Sequence, residues 1–343
     1  MTPEEIMDLA KKHAPILCQK VSKEWQVADM IAPIDFTGSL NDLYKNPYEL
    51  TKLNPDDIDQ INPKVYFSLC ETDTHYFIIY AVYHIMDWHK RLPPNNLWDL
   101  IMDALGEHIH DMEGALFIIT KEPEEIIDGV ITIAHDNFYL YTNPLPKEDG
   151  ENEPGQGPNE LRLIDFKREN IDGHIRRHAP SKRVKLYIET KGHGIYGTKA
   201  KWGGGDDIWY FRPQGEVTDP RSQKTIEPPI LEYGELEKGY FKDYELIDIH
   251  SPEGLWENRF NKHVFLQNKK GRWGFVYYDG KEGEPGKNFF GGSANPPWSW
   301  NDHNDPSPIG IIATDPARLI LQYAEGWGPV STHYLYNKYL EIT

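Results

Sequence analysis

Residues 107–114 hold the densest group of side chains in the chain that could do chemistry. The segment reads Glu-His-Ile-His-Asp-Met-Glu-Gly and runs directly into the apolar stretch 115–119. Two histidines and three acids at the start of a buried strand are costly unless they are paired or bound to an ion. We therefore expect either a metal site or a set of salt bridges at this strand end.

The alternation of a strand decides which of these side chains can act together. Asp111 and Glu113 share one face with the apolar side chains that follow them, and lie about 7 Å apart along the strand. Like charges held that close repel each other unless a cation lies between them. His108 has the opposite parity, so it would join them only from the preceding loop or across a bulge.

Asp87 supplies a further carboxylate at the end of the apolar run 76–83. If its strand pairs with the strand of Asp111, and residues 88–107 form an insertion, Asp87 falls near His108. Three carboxylates and one imidazole suit a hard ion, Mg²⁺ or Ca²⁺ with Mn²⁺ as a further option, better than zinc. The alternative is a charged strand end with salt bridges and solvated histidines.

Histidines next to this site supply candidate proton-transfer groups. In Gly192-His193-Gly194 the glycines let the backbone turn sharply and present the imidazole at a strand end. If the cation activates water, His110 or His193 would act as the catalytic general acid or base. A turn histidine without function fits the same pattern. The sequence lacks the Gly-x-Ser-x-Gly, His-Glu-x-x-His and Cys-x-x-Cys motifs of other hydrolase and redox classes.

The elements that must position these residues are mainly strands. Thr2, Pro3 and Glu5 predict a capped helix that reaches about Lys12, and 64–87 reads as a β-hairpin with a polar turn at 71–74. Further strands are expected at 183–189, 244–249 and 332–340, and short helices at 255–256 and from Asp315. Residues 16–35 look extended and irregular, and 202–230 look like a loop. The pattern predicts a mainly β protein, a single decorated antiparallel β-sandwich with a few short helices and long loops.

One domain is expected over the whole chain, 1–343. It would comprise the N-terminal helix, the insertion 88–107, a mobile loop at 145–160 and a C-terminal Trp- and Pro-rich segment, 271–309, that wraps the surface. The loop is rich in Pro, Gly and acidic residues. Strand-like segments on both sides favour an excursion from one domain over a boundary between two.

Composition narrows the class of partner. A formal net charge of -18 repels phosphates and anionic lipid headgroups, so we expect no nucleic-acid partner. No apolar run is long enough for a transmembrane segment, and the charged N-terminus has no signal-peptide core. The protein is therefore expected to be cytoplasmic, or secreted if a signal was removed. Cys18 and Cys70 are either paired or separate buried thiols.

The chemistry-bearing segment resembles the signature of the necrosis- and ethylene-inducing-peptide-like proteins, which are microbial cytolysins. Their heptapeptide Gly-His-Arg-His-Asp-Trp-Glu follows a Tyr-rich strand that ends in Asp. Here Glu107, Ile109 and Met112 replace Gly, Arg and Trp, while the residues with ligand chemistry match. The resemblance implies that His108, Asp111, Glu113 and Asp87 hold a divalent cation, although the gap from Asp87 to His108 is longer here (108 − 87 = 21).

A wider resemblance is to a family of β-sandwich proteins named after a vacuolar protein sorting factor. Its members share an Ala-x-x-x-Ala-Pro start, a Gly-Ser-His-like turn and a late Trp-Gly segment followed by Pro- and Trp-rich sequence. The matching segments here are 10–15, 192–193, 272–274 and 296–300. This resemblance implies a single β-sandwich and a place for His193 beside the metal site.

Three functions fit these residues. The cytolysins bind sphingolipid headgroups through the metal and nearby loops, so the resemblance implies recognition of a small polar ligand or a glycolipid headgroup. The second hypothesis is a metal-dependent hydrolase that uses the same site. The third is a cation that only ties two strands together. Open coordination positions that face a pocket would favour the first two.

Overall fold

The structure is a computed structural model that describes thirteen stretches of the chain. They are 1–22, 29–34, 36, 62–87, 108–143, 165–166, 171–178, 181–199, 207–214, 239–259, 296–303, 307–325 and 328–343. For 86–87, 108–110, 165–166 and 324–325 it describes the backbone alone. The expected insertion 88–107 and the loop 145–160 lie outside the described residues, and the single-domain organisation stays a prediction.

The first helix is fixed by its own N-terminal residues. The Thr2 hydroxyl accepts the backbone N–H of Glu5, and the Glu5 carboxylate accepts the backbone N–H of Thr2. Pro3 at the first helical position needs no hydrogen-bond partner there. Helix α1 runs over Pro3–His13, so the predicted capped helix is confirmed. Its apolar side, Ile6, Leu9 and Ala10, is buried in the core.

Strands make up most of the described chain, as the aromatic and β-branched runs predict. They are β1 Ile16–Val21, β2 Lys64–Thr72, β3 His75–Asp87, β4 His108–Thr120, β5 Ile126–Ala134, β6 Asn137–Thr142, β7 Asp165–Phe166, β8 Ile171–His174, β9 Lys185–Ile188, β10 Ile195–Tyr196, β11 Asp207–Pro213, β12 Tyr240–Asp248, β13 Ala324–Glu325 and β14 Tyr334–Asn337. The hairpin expected over 64–87 is therefore β2 and β3, and its turn is shorter than predicted.

Most of these strands belong to one sheet, in the order β10-β9-β1-β11-β12-β2-β3-β4-β5-β6-β8, with β14 on β2. The sheet is mixed: β1 with β9, β11 with β12, β12 with β2 and β6 with β8 are parallel pairs. The central run β2–β6 is antiparallel throughout. The prediction of a mainly β fold is confirmed, and the parallel pairs are an addition to the antiparallel arrangement that was expected.

The sheet curls over so that one end covers its middle. Strand β10, at one end of the order, lies against β4 and β5. The core between these two layers contains large side chains such as Tyr80, Phe117 and Ile188, all almost fully buried. This curl brings the turn between β9 and β10 over the strand end that carries Asp111.

Two helices follow late in the chain, α2 at Ile311–Thr314 and α3 at Pro316–Tyr323. The helix expected from Asp315 is therefore confirmed. The helix expected at Leu255 and Trp256 is wrong, because residues 252–259 form turns. The loop expected over 202–230 is also wrong in part, since it contains β11. Within the described part of the Trp- and Pro-rich segment, Trp298 and Trp300 are buried in the core, whereas His303, Pro308 and Ile309 are exposed.

No helix within the described stretches is long and apolar enough to cross a membrane.

Gly114 is the last residue of the segment 107–114, and the core packs closely against it. A Cβ atom there would lie 2.4 Å from Cη2 of Trp300 and 2.5 Å from the carbonyl oxygen of Tyr80. We expect Gly114→Ala to lower the free energy of unfolding by about 1–3 kcal/mol, because the strands must move apart. Urea unfolding would measure the loss. Gly173→Ala is the control, since its Cβ would meet only side-chain atoms, at 3.3 Å or more. Equal stability of Gly114→Ala and wild type would contradict this packing.

Candidate cation site

The register of β3 and β4 places the acidic residues. Asp111 lies opposite His84, Glu113 opposite Val82, and Asp87 opposite His108. Residues that are opposed in an antiparallel pair point to the same face, and so do residues two apart along a strand. His84, Asp111 and Glu113 therefore share one face. The backbones of Asp87 and His108 pair three residues farther along the same ladder, at positions of the opposite parity, and their side chains lie outside the described residues.

His193 reaches this face from the turn between β9 and β10. Both Lys191 and His193 have a positive φ, 74° and 52°, which is uncommon for residues with a side chain. The neighbouring glycines serve a different purpose from the sharp turn that was expected. A Cβ on Gly192 would lie 2.7 Å from His135, and one on Gly194 would lie 2.8 Å from Ala134. The glycines therefore let the turn pack closely on the β5–β6 hairpin.

The imidazole of His193 lies between two carboxylates and is completely buried. Its Nδ1 is 2.8 Å from Oδ2 of Asp111, and its Nε2 is 3.0 Å from Oδ1 of Asp29. Burial by itself lowers the pKa of His193. The hydrogen bonds and negative charges of Asp111 and Asp29 outweigh that effect and raise the pKa to about 10. At neutral pH the cation-free site therefore contains an imidazolium that donates from both nitrogens.

Asp29 anchors the far side of this imidazolium. It is fully buried and accepts the backbone N–H of Ser22 at 2.7 Å and that of Lys191 at 2.8 Å, in addition to His193. A carboxylate with this many donors is well compensated inside a protein. Asp29 thereby joins the end of β1 to the turn that carries His193.

His84 packs face to face on His193, with ring centroids 3.8 Å apart and planes 2° apart. Burial, together with the positive charge of His193, holds the pKa of His84 well below its usual value, so this imidazole is neutral. Its Nε2 lies 3.3 Å from the side-chain amide nitrogen of Gln19. Its Nδ1 is buried and has no hydrogen-bond partner among the described residues.

Glu113 belongs to a second set of contacts at the edge of the site. Its Oε1 accepts the backbone N–H of His135 at 3.0 Å. The side chain of His135 is 2.9 Å from Glu189, which also accepts the hydroxyl of Tyr196 at 3.4 Å. His135 is 44% exposed and Glu189 is 31% exposed. A buried carboxylate is therefore bordered by polar side chains that solvent can reach.

These donors fit a divalent cation. Ligand atoms of His84, Asp111 and His193 all lie within 4.8 Å of one another. The buried Nδ1 of His84 lacks a partner among the residues that the structure describes, and Asp111 and Glu113 supply carboxylate oxygens on the same face. His193 contributes less readily as a ligand, because both its nitrogens already donate to carboxylates.

Comparison with known proteins gives a likeness to solved structures only. No protein-family model and no characterised protein matches the chain. The chain is similar to necrosis and ethylene inducing protein 2 from the causal agent of cocoa's witches' broom disease, with 18% identity, a TM-score of 0.29, and coverage of 60% of this chain and 71% of that one. It is also similar to the non-toxic HaNLP3 protein, with 19% identity, a TM-score of 0.24, and coverage of 42% of this chain and 50% of that one. A third is NLPPya in complex with glucosamine, with 15% identity, a TM-score of 0.30, and coverage of 57% of this chain and 69% of that one.

At these identities and TM-scores the likeness carries no argument about this chain, so the interpretation of the site depends on its own geometry. The solved structures are nevertheless of the kind of protein that the heptapeptide motif resembles. Of the predicted site residues, the structure brings together Asp111, Glu113 and His193. It pairs the backbones of Asp87 and His108, and it does not describe the side chain of His110.

Sequence reasoning missed His84, Asp29 and Gln19. The position of His84 could have been found, because pairing Asp87 with His108 in an antiparallel register also sets His84 opposite Asp111. Nothing in the local sequence marks Asp29 or Gln19, since the curl of the sheet brings them to the site. The salt-bridge alternative is also partly met, because Asp111 forms an ion pair with His193.

The raised pKa of His193 predicts how the stability of the cation-free protein depends on pH. The stabilisation by protonated His193 is complete below the unfolded pKa of 6.5 and is lost as the pH rises through about 10. We expect the free energy of unfolding to fall across this window in wild type, and to fall less in His193→Gln, which cannot titrate. Urea unfolding of chelator-treated protein at several pH values would measure both curves.

The control for this experiment is His333→Gln, because His333 is an exposed histidine that forms its ion pair with Asp73 far from the site. It should follow the wild-type curve. Parallel pH dependence of wild type and His193→Gln would show that His193 does not carry the proton that its two carboxylate neighbours imply.

Proposed function

We propose that this chain binds a divalent cation at Asp111 and Glu113 and uses the bound ion to recognise a polar or glycosylated headgroup. One observation carries the proposal. Two carboxylates share a buried face of β3 and β4 with a neutral imidazole nitrogen that has no partner in the described part of the chain. Burying such groups costs free energy unless an ion or a hydrogen-bond partner compensates them.

The charge of the site supports a cation. Asp29, Asp111 and Glu113 bring three buried carboxyl groups to the site, and protonated His193 lies between two of them. The chain as a whole carries a formal charge of -18, which also favours the approach of cations. Asp87 pairs with His108 three residues farther along the ladder and with the opposite parity, so it would add a further carboxylate only across a bulge or bend of the strands.

Oxygen donors favour a hard ion. Mg²⁺ and Ca²⁺ take mainly carboxylate oxygens and water, while Mn²⁺ accepts imidazole as well. Asp111 and Glu113 would supply the oxygens and His84 a nitrogen, while His108, which has the opposite parity, would join only across a bulge. When bound, such an ion acts as a Lewis acid toward the hydroxyl or phosphate oxygens of a ligand.

The edge of the site supports ligand recognition over an enclosed ion. His135 and Glu189 are partly exposed, are hydrogen-bonded to each other, and connect through the backbone of His135 to Glu113. Hydroxyl-rich ligands are bound by such polar side chains together with an ion. The motif resemblance to the cytolysins implies the same class of ligand.

The burial of the ligands favours a second candidate function, in which the ion is structural. Asp111 and Glu113 are only 6% and 7% exposed. An ion enclosed by these side chains would tie β4 to the turn that carries His193, without open coordination positions. A hydrolase would additionally need His110 or His193 as a proton-transfer group. That role remains a prediction, and for His193 it requires one of its two carboxylate bonds to break.

Titration with cations tests the first half of the proposal. We expect chelator-treated protein to bind Mn²⁺, Mg²⁺ or Ca²⁺ with a stoichiometry near one in isothermal titration calorimetry. Asp111→Asn and Glu113→Gln should each weaken binding about tenfold or more, because each removes a ligand charge. Glu125→Gln is the matched control, since Glu125 pairs with Lys12 on the helix side of the molecule. The absence of heat with all three ions in wild type would refute the proposal.

Sugar binding tests the second half. Glucosamine, the sugar held in one of the similar solved structures, is a suitable probe for a hydroxyl- and amine-bearing headgroup. We expect it to bind the cation-loaded protein and to be released by chelator, as measured by ligand-observed NMR. Tight cation binding with no glucosamine binding would favour the structural ion. Equal glucosamine binding with and without cation would place the sugar elsewhere on the protein.

A further inference from the structure

We infer that Asp29 is a positioning residue of the cation site, which acts through His193 to fix the carboxylate of Asp111. This inference rests on the proposed function, in which Asp111 binds the cation. Asp29 lies 82 residues before Asp111, which is 111 − 29, and it is separated from Asp111 by the whole imidazole ring. It would therefore act without touching the ion.

Asp29 is placed by contacts that leave it one orientation. Its Oδ2 accepts the N–H of Ser22, and its Oδ1 accepts the N–H of Lys191 and the Nε2 of His193. Two of these three donors are backbone groups on separate segments of the chain, so the carboxylate cannot rotate without breaking a bond to one of them. The backbone therefore holds Asp29 in place, on the side of His193 away from Asp111.

His193 transmits this constraint because its ring is rigid. The two nitrogens hold Asp29 on one side and Asp111 on the other, at 3.0 Å and 2.8 Å. The parallel ring of His84, 3.8 Å away, covers one face of the imidazole and opposes tilting. The positive φ of His193 adds a strained backbone that Asp29, which also bonds the N–H of Lys191, holds in place.

The consequence is a ligand carboxylate whose direction is set before the ion arrives. The outer neighbours of metal ligands orient them, and removing one usually costs 10–100-fold in affinity, as a rough range. The bond from His193 holds Oδ2 of Asp111 on the side of the turn, on the same face as Glu113. Loss of Asp29 would release His193, and Asp111 would lose its orientation.

Two substitutions separate position from charge. Asp29→Asn removes the charge and one acceptor oxygen, whereas Asp29→Glu keeps the charge but moves the oxygens by one methylene group. If Asp29 acts by position, both should weaken Mn²⁺ binding about tenfold or more in isothermal titration calorimetry. If it contributed only long-range charge, Asp29→Glu would bind Mn²⁺ as wild type does.

A matched control accounts for loosening of the same turn. The hydroxyl of Thr190 donates to the carbonyl oxygen of Lys20 at 2.6 Å, and so ties the turn to β1 without touching His193. Thr190→Val should therefore keep Mn²⁺ affinity close to that of wild type while costing stability. Near-ultraviolet circular dichroism would give the folded fraction of each variant, and affinity would be expressed per folded molecule.

A second measurement needs no metal. In cation-free protein labelled with ¹⁵N-histidine, the ring signals of His193, assigned by their loss in His193→Gln, report the hydrogen bonds at both nitrogens. Asp29→Asn and Asp29→Glu should shift these signals, and Thr190→Val should leave them in place.

The outcomes are distinct. Wild-type Mn²⁺ affinity in both Asp29 variants would overturn the inference, as would an equal loss in Thr190→Val. If wild type itself binds no Mn²⁺, the proposed function fails. The ring signals alone then show whether Asp29 positions His193. Unchanged His193 signals in the Asp29 variants would then overturn the positioning role, while shifted signals would support it.

Discussion

The pairing of β3 with β4 is the constraint on which the candidate site depends. Side chains alternate between faces along a strand, so a slip of one residue would move Asp111 and Glu113 away from His84 and His193. Bulky buried residues on both strands, such as Ile78 opposite Phe117, make such a slip costly. The apolar half of this ladder therefore fixes the polar half, and Gly114, packed against Trp300, marks the boundary between them.

Burial of charge is the second determinant of the site. Asp29, Asp111 and Glu113 are each less than a tenth exposed, and an isolated carboxylate at such depth would be strongly destabilising. Without a cation, protonated His193 compensates two of them, and the backbone N–H of His135 compensates the third. The proton on His193 thus does part of what a bound cation would do, and an ion at Asp111 would bind beside an ion pair that already exists.

Local sequence predicts those parts of this structure that local physics decides. The capping box of α1 and the β2–β3 hairpin follow from residues within a few positions of each other, and both were predicted. Asp111 and Glu113 share a face because of simple alternation. Asp29 could not be predicted, because only the curl of the sheet brings it to His193, 164 residues away. Strand β11 was missed for a similar reason: its Gly- and Pro-rich surroundings suggest a loop, and its pairing with β1 and β12 overrides that preference.

The distances along the chain also imply that the proposed ligand-binding and structural functions of an ion would be linked. Asp111 lies on β4 in one layer, while His193 lies on the turn that the curled sheet lays over it, bonds directly to Asp111 and stacks on His84. An ion at Asp111 would reduce the repulsion between the carboxylates of Asp111 and Glu113. It would thereby stabilise the contact between the layers. Recognition of a headgroup at the edge, near His135 and Glu189, would then depend on the same closure, since both residues are positioned by that turn and the hairpin beneath it. Cation binding and ligand binding are therefore expected to be thermodynamically coupled through the turn, because each favours the conformation in which the layers are closed.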